Sequence, residues 1–257
     1  MREAAALPDQ RREAILGALA REGRVVAAQL AQLLDVSDDT VRRDLDELAA
    51  AGRVRRVRGG ALPAEAVTPL RMADRQELHT AEKARVARRA AQLLAGEPTI
   101  SLAGGTTMLA IARELAADGR SRTVLTTSPD VAVALADAPG EVLLAGGRLD
   151  PDSRTTVGAE ALDAVRRVRP AVAVLGACSL HAAIGLTTYS AAEAEVLRAQ
   201  ARSAGRIMVA TEGAKLGSSA AHVIARADDV AQLVTDDTAP GEELAALRAL
   251  GVEVVTA

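Results

Sequence analysis

The sequence predicts an α/β chain in two parts: a small helical unit closed by a hairpin and, behind it, a larger α/β domain on a mainly parallel sheet. Three observations carry that prediction. At 257 residues the chain exceeds the usual span of one compact unit. Residues 1–63 read as short amphipathic helices followed by alternating Arg and Val, whereas from about Arg75 onward short apolar segments alternate with Ala-rich helical stretches. Hydrophobic residues make up 49% and charged residues 25%, with a mean hydropathy of +0.11, which provides for a sizeable core and excludes a mainly disordered chain.

Residues 9–21 carry Ile15 and Leu19 near one face and stop at Gly23; residues 27–34, with Leu30, Leu33 and Leu34, form a second helix. Ser37 is a good N-cap for a third, and Asp38 and Asp39 favour the positive end of its dipole. Val41, Leu45 and Leu48 recur at spacings of four and three, which puts Thr40, Arg42, Arg43 and Asp44 outside the buried stripe or at its margin. After Gly52, alternating Arg and Val up to Gly59 and Gly60 predict a two-stranded hairpin. Helix, helix, helix, hairpin is the plan of a winged helix-turn-helix, here over residues 1–62. Residues 63–69 break regular structure, and 63–74 form the expected linker. Apolar segments at 99–103, 124–127, 142–145, 172–177, 207–210, 230–234 and 252–255 then predict a parallel sheet covered on both faces, in a domain spanning 75–257.

The net charge is -3, but residues 1–63 hold 11 Arg against 10 acids and the remainder 20 basic residues against 24 acids. Arg53, Arg55, Arg56 and Arg58 cluster within residues 52–60 with no acid among them, a local site for an anionic partner despite a pI near 5.7. A helix about 10 to 12 Å across fits the major groove, so Ser37, Thr40, Arg42 and Arg43 sit where base readout is expected and the hairpin arginines where phosphate is gripped. From the residues alone, a small interaction domain with solvated charges is as good a reading.

Other classes are excluded. Phe and Trp are absent and Tyr189 is the one aromatic residue, so no platform for stacking bases exists. Cys178 is the single cysteine, and His79, His181 and His222 lack metal-ligand spacing; no disulfide, metal or cofactor is expected, and a cytoplasmic setting fits. The N-terminus has no signal-peptide pattern. Residues 170–192 are uncharged but contain Gly176, His181 and Gly185, which suits a buried strand and loop, so no membrane segment is expected.

In the second part, Gly104 and Gly105 follow a predicted strand and Thr106 and Thr107 open a helix. Glycines admit close approach of an anion, and free amides and hydroxyls at a helix start bind phosphate. The loop lacks the Gly-Lys-Ser/Thr ending of a Walker motif and is not a dinucleotide fingerprint. Further loops hold Thr127 and Ser128; Gly146, Gly147 and Arg148; Thr187, within 185–188; and Glu212 with Lys215. In a parallel sheet they gather at the carboxyl edge, where hydroxyls, amides, one Arg and one Lys suit a phosphorylated polyol. Taken singly, a plain strand-to-helix turn, and solvated charges at Arg148 and Lys215, are the simpler readings.

Residues 11–63, above all Val36-Ser-Asp-Asp-Thr-Val-Arg-Arg-Asp-Leu45 followed by Leu48 and Arg56-Val-Arg-Gly-Gly-Ala61, resemble the signature of the DeoR (deoxyribose-operon repressor) family of bacterial transcription regulators. The resemblance implies that this helix is a recognition helix contacting DNA through Thr40, Arg42 and Arg43, with Asp44 a structural acid. It continues through Arg75 and Lys83, the Gly-Gly-Thr-Thr loop, Gly146 with Gly147, and residues 212–217. That implies a sensor domain related in fold to ribose-5-phosphate isomerase, with sugar-phosphate effectors. Glu212 stands where the family has Asp, Gly104 where it has Asp or Ser, and Thr127 where it has Asn. The implied function is a sequence-specific DNA-binding regulator, a repressor, of carbohydrate-metabolism genes, responsive to a phosphorylated sugar or polyol. It would bind a double-stranded operator as a homo-oligomer and carry out no catalysis. The alternative is a phosphosugar isomerase-like enzyme with an accessory DNA-binding domain. An isomerase needs a carboxylate base, and the loop after the 172–177 strand reads Cys178-Ser-Leu-His181, so the base is missing there. Cys178 is expected as a small buried hydrophobe and His181 as a satisfied polar residue.

Overall fold

The computed structural model describes residues 8–22, 25–50, 53–57, 59–63, 72–76, 78–176 and 178–257. The chain divides into two units, Met1–Pro69 and Leu70–Ala257. In the first, α1 (Pro8–Glu22), β1 (Val25–Val26), α2 (Ala27–Leu33) and α3 (Asp38–Ala50) precede the hairpin β2 (Val54–Val57) and β3 (Gly60–Pro63). The hairpin gains a third strand that the sequence does not announce, in the order β1-β3-β2. Gly60 allows it: a Cβ there would lie 1.9 Å from the carbonyl oxygen of Val25. Ile15, Leu19, Leu30, Val41, Leu45 and Val54 form one core between the helices and the sheet, each worth about 1.5 to 3 kcal/mol of burial. Asp35 adopts a left-handed φ of 49° between α2 and α3, and the Ser37 hydroxyl then accepts from Thr40 N–H at 3.2 Å, capping α3.

Asp44 corrects the helical-periodicity reading. It is buried, and its two oxygens accept from Arg11 Nε at 2.8 Å and Nη2 at 3.1 Å. This two-point pair ties α3 to α1 from inside the unit.

The second unit begins with α4 (Met72–Gln76) and α5 (Thr80–Leu93), then β4 (Thr99–Leu102), α6 (Thr106–Ala117), β5 (Arg122–Thr126), α7 (Pro129–Leu135) and β6 (Gly140–Leu144). Next come β7 (Arg148–Asp150), β8 (Thr155–Val157), α8 (Ala159–Arg166), β9 (Val172–Leu175), β10 (Ser179–His181), β11 (Gly185–Thr188) and α9 (Ala191–Ser203). The chain closes with β12 (Arg206–Ala210), β13 (His222–Ala225), β14 (Val230–Thr235), α10 (Gly241–Ala249) and β15 (Glu253–Thr256). The seven apolar segments of the sequence become one parallel sheet in the order β15-β14-β12-β9-β4-β5-β6. The inner strands are buried on both faces, as their continuous apolar runs require.

Three expectations change. Residues 185–188 are not a loop but strand β11 of a small antiparallel sheet, β10-β11-β13. The Gly146-Gly147-Arg148 loop leads straight into a hairpin, β7 with β8. Of the expected linker, residues 64–71 lie outside the described residues, while 72–74 belong to α4. There Met72 is buried and its N–H donates to Asp152 O at 2.9 Å. Among the described residues no helix is long and apolar enough to cross a membrane.

Replacing Asp44 with Ala removes the two-point pair by which Arg11 ties α1 to α3. We expect a loss of about 3 kcal/mol in the first unit, read as a fall of roughly a hundredfold in hydrogen-exchange protection of α3 amides; unchanged protection would mean that the pair is not structural.

Candidate functional site

Two regions meet the chemistry that the sequence announces. On the first unit, the Arg42 side chain is 59% exposed and its carboxylate neighbours Asp38 and Asp39 stand off at 3.9 and 3.8 Å, too loose to hold it. Arg43 is exposed and, among the described residues, makes no ion pair. Thr40 is half-buried, its hydroxyl 2.8 Å from that of Ser37. The start of α3 thus presents Arg42 and Arg43 outward from a capped, rigid turn. Arg53 is exposed just before β2. Arg56 departs from the expected phosphate-gripping role: Nε donates to Asp46 at 2.7 Å and Nη1 to Gly60 O at 2.8 Å, fastening the hairpin to α3. Arg58 and the side chain of Arg55 lie outside the described residues.

The second region follows from strand order. The chain runs from β4 out to β5 and β6, then returns to place β9 on the other side of β4, so the sheet reverses between β4 and β9. Ligands of open α/β sheets bind at such a crevice. Here it is a narrow cleft of about 30 Å³, room for one or two waters, between the Gly104–Thr107 turn after β4 and Gly176 and Cys178 after β9. A Cβ at Gly104 would lie 2.1 Å from the Thr155 methyl, and Gly105 has φ +110°, so both glycines are demanded by geometry. No side chain caps the amides that open α6, which leaves them free for an anion.

Of the sequence-predicted residues, Gly104, Gly105, Thr106, Thr107 and Lys215 line this cleft. Glu212 sits beneath it, buried, accepting from the Thr107 hydroxyl at 3.3 Å and paired with Lys215 at 3.0 Å and Lys83 at 3.6 Å. Burial alone would raise the Glu212 carboxyl, but the Lys215 ammonium, its own backbone amide and Lys83 outweigh that and hold it below its ordinary value. Burial lowers the Lys83 ammonium against the pull of Glu212.

The remaining residues are elsewhere. Thr127 and Ser128 are buried: Thr127 O accepts from Thr156 N–H at 2.7 Å, and Ser128 caps α7. Gly146, Gly147 and Arg148 are exposed at the root of the β7–β8 hairpin. Thr187 is spent within its sheet, donating to Ser179 O at 3.3 Å and accepting from Ala220 N–H at 2.9 Å.

Arg75, Ser153, Cys178, Thr188 and Glu193 also line it, with Met108 and Leu197 as its apolar part. Arg75 Nε is buried without a hydrogen-bond partner. The 178–181 loop lacks an acid as the sequence reads, but α9 brings the Glu193 carboxylate to the cleft: it accepts from the Thr188 hydroxyl at 2.6 Å, and burial raises it above its ordinary value despite that bond and Arg75. Cys178 is no plain core residue either; it lies 3.4 Å from the Thr188 hydroxyl, its thiol pushed up by burial and by Glu193. His181 lies outside the cleft and accepts from Ala183 N–H at 3.0 Å.

Residues 11–66 match the model of the DeoR-like helix-turn-helix domain, and residues 78–237 that of the DeoR C terminal sensor domain. The putative aga operon transcriptional repressor of Escherichia coli O157:H7 is 32% identical over 253 residues, 96% of this chain and 93% of that one. The chain belongs to the DeoR family. A second DeoR-like relative, the glycerol-3-phosphate regulon repressor of Escherichia coli K12, is 30% identical over 82% of this chain and 84% of its own. Ribose 5 phosphate isomerase A from Neisseria gonorrhoeae matches with a TM-score of 0.39 and 18% identity over 53% of each chain, a likeness that bears on neither chemistry nor ligand. As a DeoR-family transcriptional regulator, the chain joins a DNA-binding helix-turn-helix to a sensor domain.

Glu212→Gln leaves Lys83 buried without its counter-charge, and we expect the sensor unit to lose about 3 kcal/mol at pH 7 in urea unfolding. Because the Glu212 carboxyl is depressed, its contribution is complete above about pH 4.3 and fades as the pH falls through its lowered value. Wild type and variant therefore converge in acid; a gap that persists there would refute the ion cluster as its source.

Proposed function

We propose that this DeoR-family regulator is a repressor of carbohydrate-metabolism genes whose cleft binds a phosphorylated sugar or polyol. Gly104, Gly105, Thr106 and Thr107 would receive the phosphate with Lys215 and Arg75, and Glu193 and Thr188 the hydroxyls. The observation that carries the reading is the pairing, at the switch point, of uncapped α6 amides and the unpartnered Arg75 Nε with a carboxylate across the cleft. Cations and amides select a dianion, and a carboxylate beside a hydroxyl selects vicinal hydroxyls. A sugar phosphate exceeds the present cavity, so binding has to move lining groups, which gives the ligand unequal affinity for two states. Coupling of about 1 to 3 kcal/mol to the DNA-bound state is the usual size. The roles by which the relatives are named, repression of an aga operon and of a glycerol-3-phosphate regulon, support this reading. The protein acts in the cytoplasm, binding its duplex operator as a homo-oligomer, one recognition helix per half-site.

Glu193 removes the argument from missing acids, so the distinction from an isomerase is left to family membership and to experiment. A panel of aldose and ketose phosphates should raise the melting temperature without turnover, and Lys215→Ala should lose most of that shift; turnover would establish the enzyme instead. For DNA, Ser37, Thr40, Arg42 and Arg43 form the reading edge of α3, with Arg53 and the wing arginines Arg55 and Arg58 on phosphate. Arg42→Ala with Arg43→Ala should cost about 1 to 3 kcal/mol for each base no longer read and abolish specific gel shifts, whereas Arg53→Ala weakens all duplexes alike. An unchanged specific shift in the double variant contradicts the assignment.

A further inference from the structure

The sensor unit carries its own concentration of positive charge, outside the cleft. Grooves of about 620 and 860 Å³ flank α9, and Arg198 and Arg202, one turn apart, line both. Arg206 and Arg226 extend the first groove, Arg166 and Arg169 the second. Composition does not account for this, since residues 64–257 hold 20 basic side chains against 24 acidic ones. Three of the arginines are neutralised: Arg206 by Glu97 at 2.6 Å, Arg226 by Asp228 at 2.8 Å and, loosely, Arg166 by Asp163 at 4.0 Å. The others are not. Among the described residues Arg169 and Arg202 are exposed and make no ion pair. Arg198 donates Nε to Val223 O at 2.7 Å, which anchors the guanidinium without an ion pair; Glu195 in the second groove and Asp229 in the first are the acids that line the grooves beside it.

We propose that this arginine face of α9 is a second nucleic-acid contact, taking the phosphate backbone of duplex DNA. The proposal rests on the DNA-binding assignment of the first unit. Guanidinium forks match phosphate oxygens in geometry and are weakly hydrated, so they suit a phosphate rail. Their carrier is stiff: Val196, Gln200 and Ser203 bury the opposite side of α9. A linear polyanion meets both grooves at once, whereas a small anion would use one. Contacts of this kind carry no base information and add affinity equally to every sequence.

The test uses the full chain with Arg169→Gln and Arg202→Gln, side chains that hold no ion-pair partner among the described residues and so leave the fold intact. Affinity is measured against salt on a long duplex carrying a genomic site, and on mixed-sequence DNA. The log-log slope should become shallower by about 0.9 for each phosphate that is no longer neutralised, and binding near 0.15 M salt should weaken roughly fivefold per phosphate on both duplexes. Arg169→Lys with Arg202→Lys should restore most of the slope. Unchanged slope and affinity, in an assay where Arg42→Ala with Arg43→Ala abolishes specific binding, overturns the proposal while sparing the DNA-binding assignment. Loss of assembly in sedimentation with an unchanged slope also overturns it, in favour of a contact between protein subunits.

Discussion

A carboxylate almost without solvent contact, Glu212, fixes what the sensor cleft can be. A buried charge left alone costs several kcal/mol, so Glu212, Lys83 and Lys215 persist as a set or not at all. Lys215 turns its remaining donors toward the cleft, and Thr107 is steered onto the same carboxylate. Lys83 reaches the other way, donating to Arg75 O at 2.6 Å and to Leu78 O. The backbone of the segment following the linker is thus tied to the ion cluster beneath the cleft, and Arg75 and Lys215 are not positioned independently.

A second constraint decides which loops join. Seven parallel strands bring seven carboxyl ends to one edge, yet the cleft forms at the crevice between β4 and β9. The β7–β8 hairpin closes the side toward β5: Thr156 donates N–H and hydroxyl to Thr127 O, and its hydroxyl also reaches Ala145 O at 2.6 Å. Thr155 packs where a Gly104 side chain would stand. Gly104 thus makes room for a neighbour's methyl.

The parts that repeat locally are legible in the sequence. The seven strands of the parallel sheet stand out as short apolar-rich runs, the inner ones buried on both faces and the edge strands β6 and β15 partly exposed; the capped start of α3 announces itself through Ser37, Asp38 and Asp39. What escapes is set by tertiary pairing. Strands β7 and β8 are short, and their one local signal is the Pro151-Asp152-Ser153 turn ahead of the β-branched Thr155-Thr156-Val157, where Asp150 accepts from Asp152 and Ser153 amides. Thr187 looks like a loop hydroxyl because nothing nearby in sequence reveals its partner strands. Glu193 lies on a helix of several acids and arginines, and only the seating of α9 against β11 turns it into the cleft.

The net charge needs the same correction by partners. Eleven arginines against ten acids in residues 1–63 is nearly neutral, and a polyanion would gain little from the average. Three of those acids, however, are consumed: Asp44 by Arg11, Glu47 by Arg12 at 2.6 Å and Asp46 by Arg56 at 2.7 Å. These pairs fasten α1, α3 and the hairpin to one another, so the arginines they use are structural. Arg42, Arg43 and Arg53 are left with exposed, weakly compensated charge. Within a Debye length of about 10 Å a phosphate meets that remainder of positive charge rather than the net value. A chain of net charge -3 can therefore present exposed arginines to DNA, because its own folding pairs Asp44, Asp46 and Glu47 with other arginines.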